Sequence, residues 1–431
     1  MDILIAPWGN PTNWSSIKYK FGNLEKISSS SLNILQEHIK PDYTIILASD
    51  TLASNGSNYI EIKENAKKLI LNHIEKFNIN PENTKVFILS GIGKFNNIIF
   101  IGKAEDYYYS LIYQLVNFLL KNLRKNINQV NFHLDITHGI NYMPVLVYRA
   151  IKELTEILAF FYKVNLNVYN ADPAILTENV KELNVNVIEQ TKIIPNPLKY
   201  KATGKSIINK LENNKNFIED LKKLNKKLTN DIKHKDISAF IGAIYNGLPL
   251  ALYTFFPIIN KLKEYIDTAF KLYEKYIYIE DKEKLLINKI AYFTFDFRIY
   301  LFTYFFANLF LKKELIKNRK YEVSLTEIIN VKDKFFNFNE KIKISLDREI
   351  HDLKSTVKNS KLELNKFYKL NELKGIQDNE PSNRNFLAHS GFEYKSILIK
   401  VLDGENKDIV IKYRDEYISG LIKNLCVKGL Q

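Results

Sequence analysis

Short β-rich runs alternate with helical patterns through the first part of the chain, and each early run ends in a loop of small or polar residues. Residues 2–6 lead into Pro7-Trp8-Gly9-Asn10-Pro11, 43–48 into Ser49-Asp50-Thr51, and 85–89 into Ser90-Gly91-Ile92-Gly93-Lys94. Residues 129–135 lead into the turn ending at Asn141, and 165–169 and 185–188 read as late strands. Helical periodicity fills 59–77, 105–123 and 141–158 between them. Strands separated by helices predict an α/β Rossmann-like domain, a parallel sheet with flanking helices. Such sheets bind ligands outside the carboxyl ends of their strands. Trp8, Gly9, Asn10, Ser49, Asp50, Gly91 and Gly93 are candidate ligand-binding residues because they follow strand ends.

The pattern breaks at Pro195-Asn196-Pro197. Residues 205–235 are lysine-rich and amphipathic, and from Ile237 onward the signal is helical and aromatic, through Phe256, Tyr276, Phe293 and Phe305. Residues 396–402 and 408–413, joined by Asp403-Gly404-Glu405-Asn406, predict a β-hairpin, and 415–426 a final helix. The charged stretch 332–379 reads as a partly superficial excursion. A chain of 431 residues exceeds one ordinary core. The expected division is 1–190 as an α/β domain, 191–235 as a basic helical linker, and 236–431 as a mainly α-helical domain with a small β-hairpin.

Residues 237–260 carry no charge and are long enough to span a bilayer. Asn246, Gly247, Pro249 and Pro257 interrupt them, which favours a buried helix broken by proline over a membrane span. The N-terminus lacks a basic region and a long apolar run, so it does not read as a secretory signal. The single cysteine, Cys426, excludes a disulfide framework and a cysteine-based zinc site, and fits a reducing, cytoplasmic setting. The formal charge of +14 favours polyanionic partners, although a lysine-rich soluble surface also accounts for it.

Two short motifs carry chemistry. Leu134-Asp135-Ile136-Thr137-His138-Gly139-Ile140-Asn141 sits between a strand and a helix. There, free N–H groups attract phosphate, or Thr137 or Asn141 simply caps the helix. Asn383-Arg384-Asn385-Phe386-Leu387-Ala388-His389 places an arginine and a histidine five positions apart. Arginine holds a phosphodiester and steadies developing charge, and histidine exchanges protons near neutral pH. Such a pair supports RNA cleavage without a metal. A helical offset of about 140° splays the two side chains apart, so one helix makes half a cleft.

Asp135 to Asn141 resembles the signature turn of CARF sensor domains, and Arg384-Asn385 through His389 resembles the Arg-x(4–6)-His signature of HEPN ribonucleases. Together, and in this order, they resemble the CARF–HEPN effector ribonucleases of type III CRISPR systems (Csx/Csm type) over essentially the whole chain. The resemblance implies a homodimer whose sensor domains share one cyclic oligoadenylate on the two-fold axis, with cyclic tetra-adenylate the favoured ring. It implies metal-independent, allosterically activated cutting of single-stranded RNA by Arg384, Asn385 and His389 of each subunit, with no cofactor and no membrane. It also implies that Thr137, His138, Gly139 and Asn141 touch the activator, with His138 alternatively a residue that packs the turn. A nucleotide-responsive nucleic-acid-binding regulator without nuclease activity is the alternative. An RNA-cutting toxin that needs no activator, and a sensor that degrades its own activator through residues such as Ser49 and Lys94, are further readings.

Overall fold

The computed structural model describes residues 1–95, 97–173, 181–230, 232–281, 283–378, 380–403 and 408–431, with backbone alone at 227–230 and 419. It falls into two compact units, each made of separate stretches of chain.

The first unit comprises Met1–Ile194, Ile207–Lys222 and Thr268–Phe297. Its strands are β1 (Asp2–Pro7), β2 (Ile17–Phe21), β3 (Leu24–Ser28), β4 (Tyr43–Ser49), β5 (Thr84–Leu89), β6 (Gly93–Lys94), β7 (Ile98–Ile101), β8 (Gln129–Asp135), β9 (Lys163–Ala171), β10 (Glu182–Ile193), β11 (Ile208–Lys210), β12 (Ile277–Asp281), β13 (Leu285–Lys289) and β14 (Ala291–Phe293). Its early helices are α1 (Leu32–Ile39), α2 (Tyr59–Lys76), α3 (Glu105–Asn122) and α4 (Met143–Leu158). The main sheet runs β3-β2-β10-β9-β8-β1-β4-β5. Its five strands from β9 to β5 are mutually parallel. Beyond them β10 runs antiparallel to β9, and β3 antiparallel to β2. The sheet is therefore mixed, not the purely parallel one expected. Crossover helices enforce parallel order only where they intervene, whereas β2 and β3 meet through the tight turn at Gly22, whose φ is +57°.

Alternate residues of β1 and β4 (Leu4, Ala6, Ile46 and Ala48) join Leu35 of α1 and Ile70 and Ile74 of α2 in one core. The intervening Ile3, Ile5, Ile45 and Leu47 are equally buried. Burial on both faces explains why these strands read as continuous apolar runs.

A second sheet, β12-β13-β7-β6, corrects the helical reading of the region through Tyr276 and Phe293. Ile277, Tyr278 and Ile279 are β-branched and aromatic types that suit strands, and β13 pairs in parallel with β7 nearly two hundred residues earlier. The stretch 191–235 does not stand apart as a linker. β10 reaches Ile193, β11 pairs with β14, and the helix α5 (Lys215–Asn230) passes from the residues of one unit to those of the other.

The second unit comprises Pro195–Ser206, Lys223–Asp267 and Arg298–Gln431. It contains α6 (His234–Asn246), α7 (Pro249–Thr254), most of α8 (Ile259–Lys275) and of α9 (Phe295–Lys312), α10 (Leu325–Lys334), α11 (Glu340–Asn359), α12 (Leu370–Leu373) and α13 (Asn383–Ala388). The uncharged run 237–260 is broken at Gly247, which is left-handed at φ +70°, and again at Pro257. Among the described residues no helix is long and apolar enough to cross a membrane. Phe240, Phe256 and Phe310 meet edge to face at the core, and Phe335 joins Phe310.

The expected hairpin is present as β17 (Ile397–Val401) against β18 (Ile409–Tyr413); residues 404–406 of its turn lie outside the described residues. It belongs to a larger four-stranded sheet with β15 (Val323–Ser324) and β16 (Tyr368–Lys369). The excursion 332–379 contains the 20-residue α11, whose Leu346, Ile350 and Leu353 are buried.

Candidate functional site

Two groups of candidate residues lie in different units. In the first unit the loops after β1, β4, β5 and β8 are tied together. Gly9 N donates to the His138 carbonyl (2.9 Å), Trp8 N to the Leu47 carbonyl (2.8 Å), Gly91 N to Asp50 Oδ1 (2.8 Å) and Ile92 N to Tyr142 Oη (3.1 Å).

Most polar side chains here point inward. Asp50 is fully buried, and its carboxylate accepts from Tyr59 Oη (3.0 Å) and Lys289 Nζ (2.7 Å) as well as from Gly91 N. Lys289 is equally buried and also donates to the Gly91 carbonyl. Ser49 is buried beside them and accepts from Thr51 N (3.2 Å). A Cβ on Gly91 would lie 2.0 Å from Ser49 Oγ, so only glycine fits there. Next to this group, burial pushes the Asp106 carboxyl up to about 7, against the Phe293 N–H and the Lys289 charge.

The turn after β8 is equally self-satisfied. Asp135 accepts from Thr137 N (3.0 Å) and from Ser31 Oγ (2.6 Å). Thr137 Oγ1 accepts from Ala171 N (3.0 Å). The His138 ring stacks on Trp14 at 3.9 Å between centroids, and its Nε2 accepts from Ser31 N (3.3 Å). Burial holds the His138 imidazole well below its ordinary range, against the pull of Asp135. The ring, stacked on Trp14 and bound to Ser31 N, packs the turn. Gly139 sits where a Cβ would meet Pro144 at 2.6 Å. Trp8 is fully buried among Trp14 and Phe77, whereas Asn10 and Asn141 are exposed and Gly93 is half-buried. Asn141 adopts φ +51°, a left-handed conformation that asparagine tolerates.

In the second unit, Ser382 caps α13 by accepting from Asn385 N (3.2 Å). Phe386 is fully buried and anchors the short helix, while Arg384 and Asn385 are exposed. The helix ends at Ala388, and His389 is its C-cap residue. Arg384 and His389 thus flank one turn and a half of helix, not positions within a longer one.

His389 is half-buried, and its Nδ1 lies 2.9 Å from Glu349 Oε1 of α11. The hydrogen bond to Glu349 raises the imidazole above its usual range, while burial opposes this. The ring meets Tyr394 at 5.0 Å, and Lys374 lies over Tyr394 at 4.6 Å while pairing with Asp352 (2.8 Å). Glu349, Asp352, Lys374 and Tyr394 were not singled out from sequence. The only trace of the two carboxylates is their spacing: Ser345, Glu349 and Asp352 form a polar stripe beside the buried stripe Leu346, Ile350 and Leu353. Ser345 Oγ donates to the Ala388 carbonyl (3.3 Å) and meets Ser390 Oγ (2.9 Å), so Ser345 and Glu349 both face the end of α13. Among the described residues no cluster of His, Cys, Asp and Glu is arranged to hold a metal ion.

Two stretches of the chain match known family models. Residues 3–173 match the family model for the CARF domain of the CRISPR system endoribonuclease Csx1, and residues 339–415 match the model for its HEPN domain. The chain is 34% identical over 436 aligned positions to the CRISPR system endoribonuclease Csx1 of Methanocaldococcus jannaschii, spanning 94% of this chain and 88% of that protein.

Proposed function

Because the chain belongs to the Csx1 family of CRISPR-associated endoribonucleases, we propose that it cuts single-stranded RNA at Arg384, Asn385 and His389, without a metal ion, when a cyclic oligoadenylate occupies its sensor domain. Cyclic tetra-adenylate is the favoured activator, and the working form is a cytoplasmic homodimer in which two copies of the 384–389 segment face one RNA strand.

The observation that carries this reading is the setting of His389. One ring nitrogen is bound to Glu349, and the other, Nε2, has no partner among the described residues. An imidazole held this way exchanges protons with a substrate hydroxyl. Arg384, five positions earlier in the chain, is exposed with no ion-pair partner among the described residues, and suits a phosphodiester. In the proposed reaction the 2′-oxygen bonds to phosphorus as its proton passes to one imidazole. The bond from phosphorus to the 5′-oxygen breaks, and that oxygen takes a proton from the second subunit's imidazole. The products are a 2′,3′-cyclic phosphate and a 5′-hydroxyl, and Arg384 steadies the charge on the phosphoryl oxygens.

The activator reading narrows within the candidate set. Ser49, Asp50, Trp8 and His138 support the loops from inside. Asn10, Asn141, Gly93 and the backbone of 137–141 are the parts open to a ligand, and polar backbone groups at a strand-to-helix turn suit phosphates.

The test is cleavage of labelled single-stranded RNA in EDTA, with and without cyclic tetra- or hexa-adenylate, beside His389→Ala. One ring switching on wild type while the variant stays silent is the expected result. Equal behaviour of wild type and variant with every ring overturns the nuclease assignment and favours a nucleotide-responsive binding protein.

A further inference from the structure

We propose that Glu349 is the positioning residue of the nuclease site: its carboxylate holds the Nδ1 side of His389 and thereby commits Nε2 to proton exchange with RNA. This rests on the reading of His389 given above and adds a residue to it.

The argument starts from α11. Asn339 caps the helix by accepting from Lys341 N (3.0 Å) and Ile342 N (3.3 Å). Leu346, Ile350 and Leu353 bury one stripe, which fixes the helix rotation and brings the adjacent Ser345 and Glu349 against the end of α13. Glu349 therefore comes from a rigid, anchored element, while its side chain is only 12% exposed. A carboxylate accepts hydrogen bonds only. At 2.9 Å it requires the proton on Nδ1, which leaves the Nε2 lone pair available in the neutral ring. Without it, the tautomer and the ring rotation are both free.

The other groups around the imidazole do not duplicate this role. Asp352 of the same helix pairs with Lys374, which follows α12. Glu393 is turned inward, where it accepts from Lys395 N (2.9 Å), and burial raises its carboxyl above the usual range. Tyr394 meets the imidazole with its ring. All of these contribute to the local field, but Glu349 supplies the hydrogen bond to Nδ1. The hydrogen bond and charge of Glu349 favour the imidazolium against the opposing effect of burial.

The experiment uses the full chain with cyclic tetra-adenylate and labelled single-stranded RNA, and compares wild type, Glu349→Gln, Glu349→Asp and His389→Ala between pH 5 and 9. The His389 titration is followed in parallel by NMR on histidine-labelled protein without activator. Glu349→Gln should lower kcat roughly tenfold to hundredfold, short of the full loss in His389→Ala. It should leave KM within about twofold, because uniform binding is untouched, and should move the imidazole limb of the pH profile and the NMR titration to lower pH. Glu349→Asp, which keeps the charge, should return the titration toward wild type. The proposal is overturned if Glu349→Gln keeps the wild-type rate and titration, or if Gln and Asp behave alike in both. A His389→Ala variant that still cleaves sinks the underlying reading instead, whereas silence of that variant beside an unaffected Glu349→Gln sinks the positioning role alone.

Discussion

Asp50 is wholly buried and its carboxylate has donors from a tyrosine, a lysine and a backbone amide. Arg384 is exposed and has no ion pair among the described residues. Asp50 is a candidate by its place after a strand and Arg384 by its place in the Arg–His motif, and the fold sets the two in opposite surroundings. At the strand ends of the first unit, the charges of Asp50 and Lys289 are consumed in shaping the loops, and Asn10, Lys94, Ile140 and Asn141 remain outward. Around 384–389 the scaffold is an apolar anchor, Phe386, and a helix stripe, while the cation is left to solvent. A site that recognises a phosphate-rich ligand by shape needs rigid loops. A site that acts on a passing strand needs its charge uncommitted.

The largest expected effect tests the inward half. Lys289→Met leaves Asp50 a buried, unpaired charge and should cost about 3–5 kcal/mol, read as a lowered midpoint in thermal or denaturant melts. Asp50→Asn combined with Lys289→Met should recover most of that loss, and if it does not, the pair is not the unit that matters. For the outward half, Arg384→Ala should lower activated cleavage by about 10²–10³-fold while shifting stability by less than about 0.5 kcal/mol. A large stability loss there would erase the contrast.

A smaller effect concerns Asp106. Its carboxyl is raised to about 7 by burial, so the folded state binds its proton more tightly than the unfolded chain. Its favourable contribution is complete below the ordinary carboxylate range and is lost as pH rises through about 7. Asp106→Asn should therefore stabilise the protein by roughly 1–3 kcal/mol at pH 8.5 and by little at pH 4, as measured by urea melts at both values. Smallest is Ser31→Ala, which removes one hydrogen bond from Asp135 and should cost about 1 kcal/mol without abolishing activation.

Legibility followed the range of the interactions. The strands at 2–6, 43–48, 85–89 and 129–135 and the helices at 59–77, 105–123 and 141–158 were readable because periodicity is local. The hairpin at 17–28 lies outside the sequence reading, although the alternation Ile17-Lys18-Tyr19-Lys20-Phe21 and the turn signal Gly22-Asn23 are both local. The region 277–293 reads as helical in sequence because its aromatic residues continue the composition of the flanking helices. Its partner β7 lies far upstream, and no local pattern announces that pairing. Arg384 and His389 stood out as a motif, but Glu349 could not, since only the rotation of α11 brings it to the ring. Lys289 left no trace for the same reason: its carboxylate partner is 239 positions away.

That separation has a consequence for synthesis. All eight strands of the main sheet have been synthesised by residue 194, but the second sheet of the first unit and the Asp50–Lys289 pair still wait for residues 277–293. At roughly 5–20 residues per second, the wait for the missing strands lasts on the order of 5–20 s, during which β7 has no neighbour on its parallel side and Asp50 no cation. A nascent chain severed after 194 would carry both defects permanently, so the first unit is completed only together with part of the gene that encodes the rest.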